Sequence, residues 1–206
     1  MSGQAGCSPV AAVILAAGAA TRMGTLKQVM AFGEKTLAEH AVMEAREAGF
    51  DPVIVVVGAQ SKSVRIKLAA QPVAIVENRQ WQSGMGSSIS VGIRYLQGLC
   101  IDSAAVAILL ADQPLIKASH LRAMRDQFSH TGAAILAARY NEMLGVPAIF
   151  TRSLFATLTV LDPAAGARSL LRDPAQQTVS FDLPEAAVDI DTPEDFAALS
   201  RDAGLK

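Results

Sequence analysis

The stretch "VAAVILAAGAATRMGTLK", Val10 to Lys27, decides how this chain folds. It opens on a run of apolar residues, the pattern of a strand buried on both faces. Tiny residues follow at once, then Arg22, Gly24 and Lys27. Small side chains contribute little packing, and each Gly adds backbone freedom that folding must remove. A loop of this kind has to lie close to something. Its main-chain N–H groups could converge on an anion. Arg22 offers a planar fork for phosphate oxygens, and Lys27 a compact positive charge. The spacing is neither that of a Walker P-loop nor that of a G-x-G-x-x-G dinucleotide turn. Composition alone leaves two readings open: a phosphate cradle, or an ordinary strand-to-helix turn with two solvated cations.

Outward from this stretch the same alternation repeats. "PVIVVVG" (52–58), "PVAIVE" (72–77), "AVAILLA" (105–111) and "AAILAAR" (133–139) read as further buried strands. Helices are predicted between them. One is "KTLAEHAVMEAREAG", with Thr36 as N-cap, Glu39 completing a capping box and Gly49 at its end. "SSISVGIRYLQG" and "KASHLRAMRDQFSH" are two more. Strands alternating with helices predict βαβ units with right-handed crossovers. After Tyr140 the rhythm changes. "GVPAIF" reads as a short strand whose proline suits a sheet edge. "RSLFATL" and "AGARSLLRD" read as helices and "TVSFDL" as a late strand. In "DIDTPEDFAAL", Thr192 is placed to cap a closing helix, with Pro193 in its first turn.

The totals set limits on function. The chain has 206 residues, half of them hydrophobic, and no linker or repeat, so one domain spanning 1–206 is expected. A net charge of −1 gives no general attraction to nucleic acid or anionic membrane. Any bound anion must be held by a local cluster. Cys7 and Cys100 have no metal-ligand spacing and form no disulfide framework. With neither a basic leader nor an apolar run long enough to span a bilayer, a cytoplasmic protein is expected.

In open α/β sheets ligands sit at the carboxyl ends of the strands. That singles out the loops after Leu15, Glu77 and Leu110. In "ENRQWQSGMGSSISVGI", Gly84 and Gly86 permit close backbone approach, and Ser87 or Ser88 can cap the next helix; Trp81 reads as packing. In "LLADQP", Asp112 is a carboxylate at the edge of a central strand, costly to desolvate unless paired or on a metal. Helix capping explains it poorly, because Pro114 and Leu115 intervene. In "DID", Asp189 and Asp191 share one face of an extended segment, and a hard cation favours such oxygen ligands. His40, His120 and His130 share no motif and read as helix-surface or partly buried residues.

Taken together, L-A-A-G-x-x-x-R-M-G-x-x-K, D-Q-P and D-I-D-T-P-E-D resemble, in matching order from Val13 to about Leu199, the MobA-like nucleotidyltransferases. The nearest group is the molybdenum cofactor cytidylyltransferases. The resemblance implies a three-layer α/β fold of the nucleotide-diphospho-sugar transferase (Rossmann-like) type with a mostly parallel twisted sheet. It implies that Leu15, Ala16, Ala17 and Gly18 contact a nucleotide, and that Arg22 and Lys27 bind its phosphates. Gly84, Ser88 and Gly92 fall on the positions of a loop that holds base and ribose. Asp112 and Asp191, with Asp189 as a further ligand, would hold Mg²⁺. Arg168 would meet an acceptor phosphate or cap its region.

The implied reaction is transfer of CMP from CTP to the phosphate of molybdopterin, with release of pyrophosphate. CTP is inferred from L-A-A-G, where related guanylyltransferases tend to read L-A-G-G. The same fold also serves GTP-using and sugar- or polyol-phosphate enzymes. A maturation chaperone that hands the cofactor to a xanthine dehydrogenase-type molybdoenzyme is a further alternative. Two positions depart from the family pattern: Ala20 replaces a usual Ser, and Pro163-Ala164 replaces Gly-Asp.

Overall fold

Along β1 (Val10–Ala16) successive residues face opposite sides of the sheet, and both sides are covered. Val10, Ala12, Ile14 and Ala16 join one apolar cluster; Ala11, Val13 and Leu15 join the other. This two-sided burial is why the strand reads as a continuous apolar run. The computed structural model describes residues 9–18, 30–32, 34–59 and 61–188. Arg22, Lys27, Asp189 and Asp191 lie outside them, as does the closing segment from Thr192 onward.

The other elements follow in chain order. A small antiparallel pair, β2 (Ala31–Phe32) and β3 (Lys35–Thr36), leads into α1 (Leu37–Glu47). Then come β4 (Val53–Val57), α2 (Ser61–Leu68), β5 (Ala74–Glu77), α3 (Met85–Gly98), β6 (Ala105–Leu110) and α4 (Ala118–Thr131). The last part holds β7 (Ile135–Tyr140), β8 (Met143–Thr151), the short α5 (Phe155–Leu158) and α6 (Arg168–Arg172), and β9 (Thr178–Asp182). The main sheet has seven strands in the order β5-β4-β1-β6-β8-β7-β9. Every pairing is parallel except those of β8, which is antiparallel to both β6 and β7. The α/β fold class and the mostly parallel sheet are as expected.

Helices α1, α2 and α4 cover one face through residues such as Val42, Leu68 and Met124. α3, α5 and α6 cover the other through Ile89, Phe155 and Leu170. The capping box on α1 is formed: the Thr36 hydroxyl accepts from the Glu39 amide at 3.3 Å, and Glu39 accepts from the Thr36 amide at 2.7 Å. Among the described residues no helix is long and apolar enough to cross a membrane.

Three expectations need correction. "GVPAIF" belongs to a nine-residue interior strand, β8, and not to a sheet edge. Its proline is accommodated by a bulge. The register jumps from Ala137 opposite Ala148 to Ala138 opposite Gly145, so Val146 and Pro147 drop out of the ladder. The N-cap of α3 is Gly84, and neither Ser87 nor Ser88. Helix α2, absent from the sequence reading, has only Val64 and Leu68 fully buried, too thin an apolar stripe to stand out.

Candidate active site

The carboxyl ends of β1, β4, β5 and β6 meet along one edge of the sheet. The first loop leaves β1 pinned between its neighbours. The Leu15 carbonyl accepts from Ala111 at 3.1 Å and the Ala17 carbonyl from Ala59 at 3.3 Å. Ala17 is buried and Gly18 exposed, so the chain emerges from the core at Gly18. Gly58 beside it has no space for a side chain. A Cβ there would lie 2.7 Å from the Ala17 oxygen and 2.6 Å from the Trp81 Cβ. Trp81 is therefore a packing residue, as expected, and it closes the side of this edge.

The loop after β5 is organised by Asn78, which sequence reasoning passed over. Asn78 is 2% exposed. Its amide nitrogen donates to the Ser87 hydroxyl at 2.8 Å and to the Ser88 hydroxyl at 3.0 Å, and its oxygen accepts from the Gln80 amide at 2.9 Å. Both serines thus serve the loop from within. The glycines face an unexpected neighbour, the chain's own Asp162–Ala164 segment. A Cβ on Gly84 would lie 2.2 Å from the Pro163 oxygen, and one on Gly86 would lie 2.4 Å from the Asp162 oxygen. The Gly86 amide donates to that Pro163 carbonyl at 2.9 Å. Gly92, further along α3, lets the helix cross close to Val13 of β1.

Asp112 follows β6, the strand between β1 and β8, and is partly buried. It does not cap α4, which begins six residues later at Ala118. Buried polar groups hold the chain on either side of it. The Gln113 side chain donates to the Ala186 carbonyl at 2.8 Å. A ring nitrogen of His40 lies 3.0 Å from the Pro114 carbonyl, and the Glu44 carboxylate accepts from the Ala118 amide. His40 is 7% exposed, so it is a core histidine and not a surface one. Burial pushes its pKa below the usual 6.5; Lys117 adds to the shift and Glu44 opposes it. Gln113 stood in plain view within D-Q-P, and a polar residue beside a strand end was its only signal. His40 had no sequence signal beyond its place on the inward face of α1.

Near the carboxyl end of β6 opens a cleft of about 590 Å³. Leu110, Met85 and Val146 supply apolar lining, with Tyr140 and the α6 residues Arg168 and Arg172. The two guanidinium-bearing residues lie one helical turn apart. Neither side chain has a hydrogen bond or ion pair among the described residues. The structure thus brings Leu15, Ala16, Ala17, Gly18, Asp112, Gly84 and Arg168 to the same edge. A divalent cation is compatible with a hard oxygen donor there, and Asp112 supplies one. Among the described residues no three His, Cys, Asp or Glu side chains form a metal cluster, so further ligands would have to come from outside them.

A family model, the MobA-like NTP transferase domain, matches residues 12–179. The chain belongs to the MobA-like NTP transferase family. This MobA-like chain is 31% identical to nicotine blue oxidoreductase of Paenarthrobacter nicotinovorans, over 92% of its own length and 96% of that protein's. It is 32% identical to the bifunctional protein GlmU of Trichlorobacter lovleyi over 139 residues, 66% of this chain but 30% of that one. Among solved structures, Rv0371c of Mycobacterium tuberculosis H37Rv superposes with a TM-score of 0.77 at 26% identity, covering 94% of this chain and 99% of that one. A second structure of Rv0371c, in complex with manganese, has a TM-score of 0.75 at 25% identity and covers 93% and 98% of the two chains. The fold is that of the nucleotide-diphospho-sugar transferases.

Proposed function

We propose that this MobA-like protein transfers CMP from CTP to the phosphate of molybdopterin. The observation that supports this reading is that Asp112 follows β6, which pairs with β1, the strand of the alanine-glycine exit, and whose Leu110 lines the Arg168 cleft. One side of this strand suits a nucleotide and the other an anionic acceptor. An oxygen of the acceptor phosphate attacks the α-phosphorus in line. The bond from α-phosphorus to its bridging oxygen breaks, and the electron pair leaves with pyrophosphate. A phosphomonoester is already anionic near neutral pH, so no histidine base is required. The protein contributes positioning and charge neutralisation.

Leu15, Ala16, Ala17 and Gly18 lie along the nucleotide in this reading, with Arg22 and Lys27 on its phosphates. Gly84 borders base and ribose, and Ser88 supports that border through Asn78. Arg168 meets the acceptor phosphate. Asp112 and Asp191, joined by Asp189, would hold Mg²⁺, which when bound neutralises phosphate charge. The structure of Rv0371c in complex with manganese supports a divalent ion as the metal. The buried Ala17 supports CTP, because a second Gly would widen the base site for a purine.

The identity to nicotine blue oxidoreductase supports a second reading, an oxidoreductase that uses the same cleft. One experiment separates the two. The protein is incubated with molybdopterin, Mg²⁺ and mixed nucleoside triphosphates, and the products are resolved by mass spectrometry. A cytosine dinucleotide with equimolar pyrophosphate is the expected result. A guanine product would replace the donor assignment. No nucleotide product would overturn the transferase reading and leave the redox one.

A further inference from the structure

Arg168 and Arg172 stand one helical turn apart on α6, and both line the cleft of about 590 Å³. Residues at this spacing are neighbours on a helix, and like charges there repel. No acidic side chain is among the described residues that line the cleft. The acids nearest in sequence are turned to other partners. The Asp162 carboxylate accepts from the Ala164 amide at 2.9 Å. That of Asp173 accepts from the Ala175 amide at 2.9 Å and from the Gln176 side chain at 3.4 Å.

Guanidiniums elsewhere in the fold are mostly engaged. Arg46 donates to the Pro72 carbonyl at 2.7 Å, Arg94 to the Thr159 carbonyl at 3.0 Å, and Arg139 to Asp182 at 2.6 Å. Arg168 and Arg172 have no such partner among the described residues, yet their helix is firmly seated. Leu170 is 5% exposed and Leu171 3%. Two uncompensated cations on a fixed helix make a local attraction for anions that a net charge of −1 does not supply. In the same cleft Met85, Leu110, Val146 and Leu171 offer an apolar wall.

One guanidinium is enough for the single charge that any phosphate ester carries. A terminal phosphomonoester carries most of a second charge near neutral pH and has three free oxygens. Two guanidiniums can each take oxygens of that group in a forked contact. We infer that Arg172 is a specificity-determining residue. With Arg168 it forms a cradle that selects an acceptor bearing a terminal, dianionic phosphate on an apolar body, against monoanionic esters of the same shape. This rests on the acceptor role proposed for Arg168.

The test uses two probes of matched shape, 1-naphthyl phosphate and 1-naphthyl sulfate, the second carrying only one charge. Their binding to the nucleotide-free protein is measured by equilibrium dialysis at pH 8. The wild type should prefer the phosphate by about 10-fold, in line with one added charge-assisted contact. Arg172→Gln should lose that preference, and Arg172→Lys, which keeps the charge without the fork, should retain part of it. Both residues are exposed, so Tm should stay within a degree or two of wild type. Equal binding of the two esters to the wild type, or binding of neither, overturns the inference. A preference kept in Arg172→Gln but lost in Arg168→Gln also overturns it, and leaves the acceptor role of Arg168 standing. A preference unchanged in both variants removes the acceptor role of Arg168 as well.

Discussion

Gly84 and Pro163 are packed so closely that neither could gain an atom: a Cβ on Gly84 would lie 2.2 Å from the Pro163 carbonyl oxygen. Gly84 also has φ +122°, a conformation rarely open to other residues. Gly84→Ala therefore meets both a clash and backbone strain, together about 2–4 kcal/mol. In a chain of this size that lowers Tm by roughly 5–15 °C. Because the clash is with the acceptor-side segment, KM for the acceptor should rise more than KM for the nucleotide. Thermal unfolding and steady-state kinetics of the variant check this, and an unchanged Tm would contradict the packing.

Lys27 is assigned to the triphosphate from its place in the first loop. Lys27→Met keeps most of the stem and removes the charge. Nucleotide affinity should fall by about 10-fold or more, in line with loss of a charge-assisted contact, while Tm stays within a degree or two. Calorimetric titration with CTP is the measurement. Wild-type affinity would withdraw Lys27 from the site.

Asp112 and Asp191 are proposed to share one ion. Removing either should raise the Mg²⁺ concentration needed for turnover. Asp191→Asn keeps an oxygen and should be milder than Asp112→Ala. The double variant should lose much less than the sum of the single losses, because one ion cannot be lost twice. A Mg²⁺ titration of pyrophosphate release for all four proteins tests this, and fully additive losses would assign the two carboxylates to separate tasks.

His40 gives the fold a pH dependence of definite sign. Its folded-state pKa lies below the usual 6.5 because it is buried. As pH falls through 6.5 the unfolded chain takes up the proton first, so stability drops on acidification and is fully present above that range. The slope reaches at most about 1.4 kcal/mol per pH unit for one proton. Tm measured between pH 7.5 and 5.5 should fall more steeply for the wild type than for His40→Gln. Parallel curves would show that His40 titrates alike in both states.

Most of the sheet could be read from the chain because strands buried on both faces announce themselves as apolar runs. The capping box of α1 was equally plain, since Thr36 and Glu39 need only their local spacing. Pro147 misled because the usual rule for proline in a strand admits two outcomes, edge or bulge, and only the pairing partners decide between them. The glycines at 84 and 86 were legible as points of close backbone approach, but not as to what approaches them. Glycine reports that something comes close and does not say what; here it is the backbone of residues 162–164. Asn78, Gln113 and His40 act through carbonyls and hydroxyls brought near by the fold, and such pairings leave no local pattern.

The reversal of β8 has an evolutionary consequence. To one side of it lie β6, β1, β4 and β5; to the other lie β7 and β9. The cleft is walled from both β6 and β8, through Leu110 and Val146. In the proposed reading, the donor is handled by one half of the sheet and the acceptor largely by the other. A lineage can then change its recipient molecule by substitutions between Tyr140 and Arg172 while the machinery for the triphosphate stays intact. A library aimed at new acceptors belongs in that interval, with Gly84 and Gly86 kept as the close contacts that the varied segment must still fit.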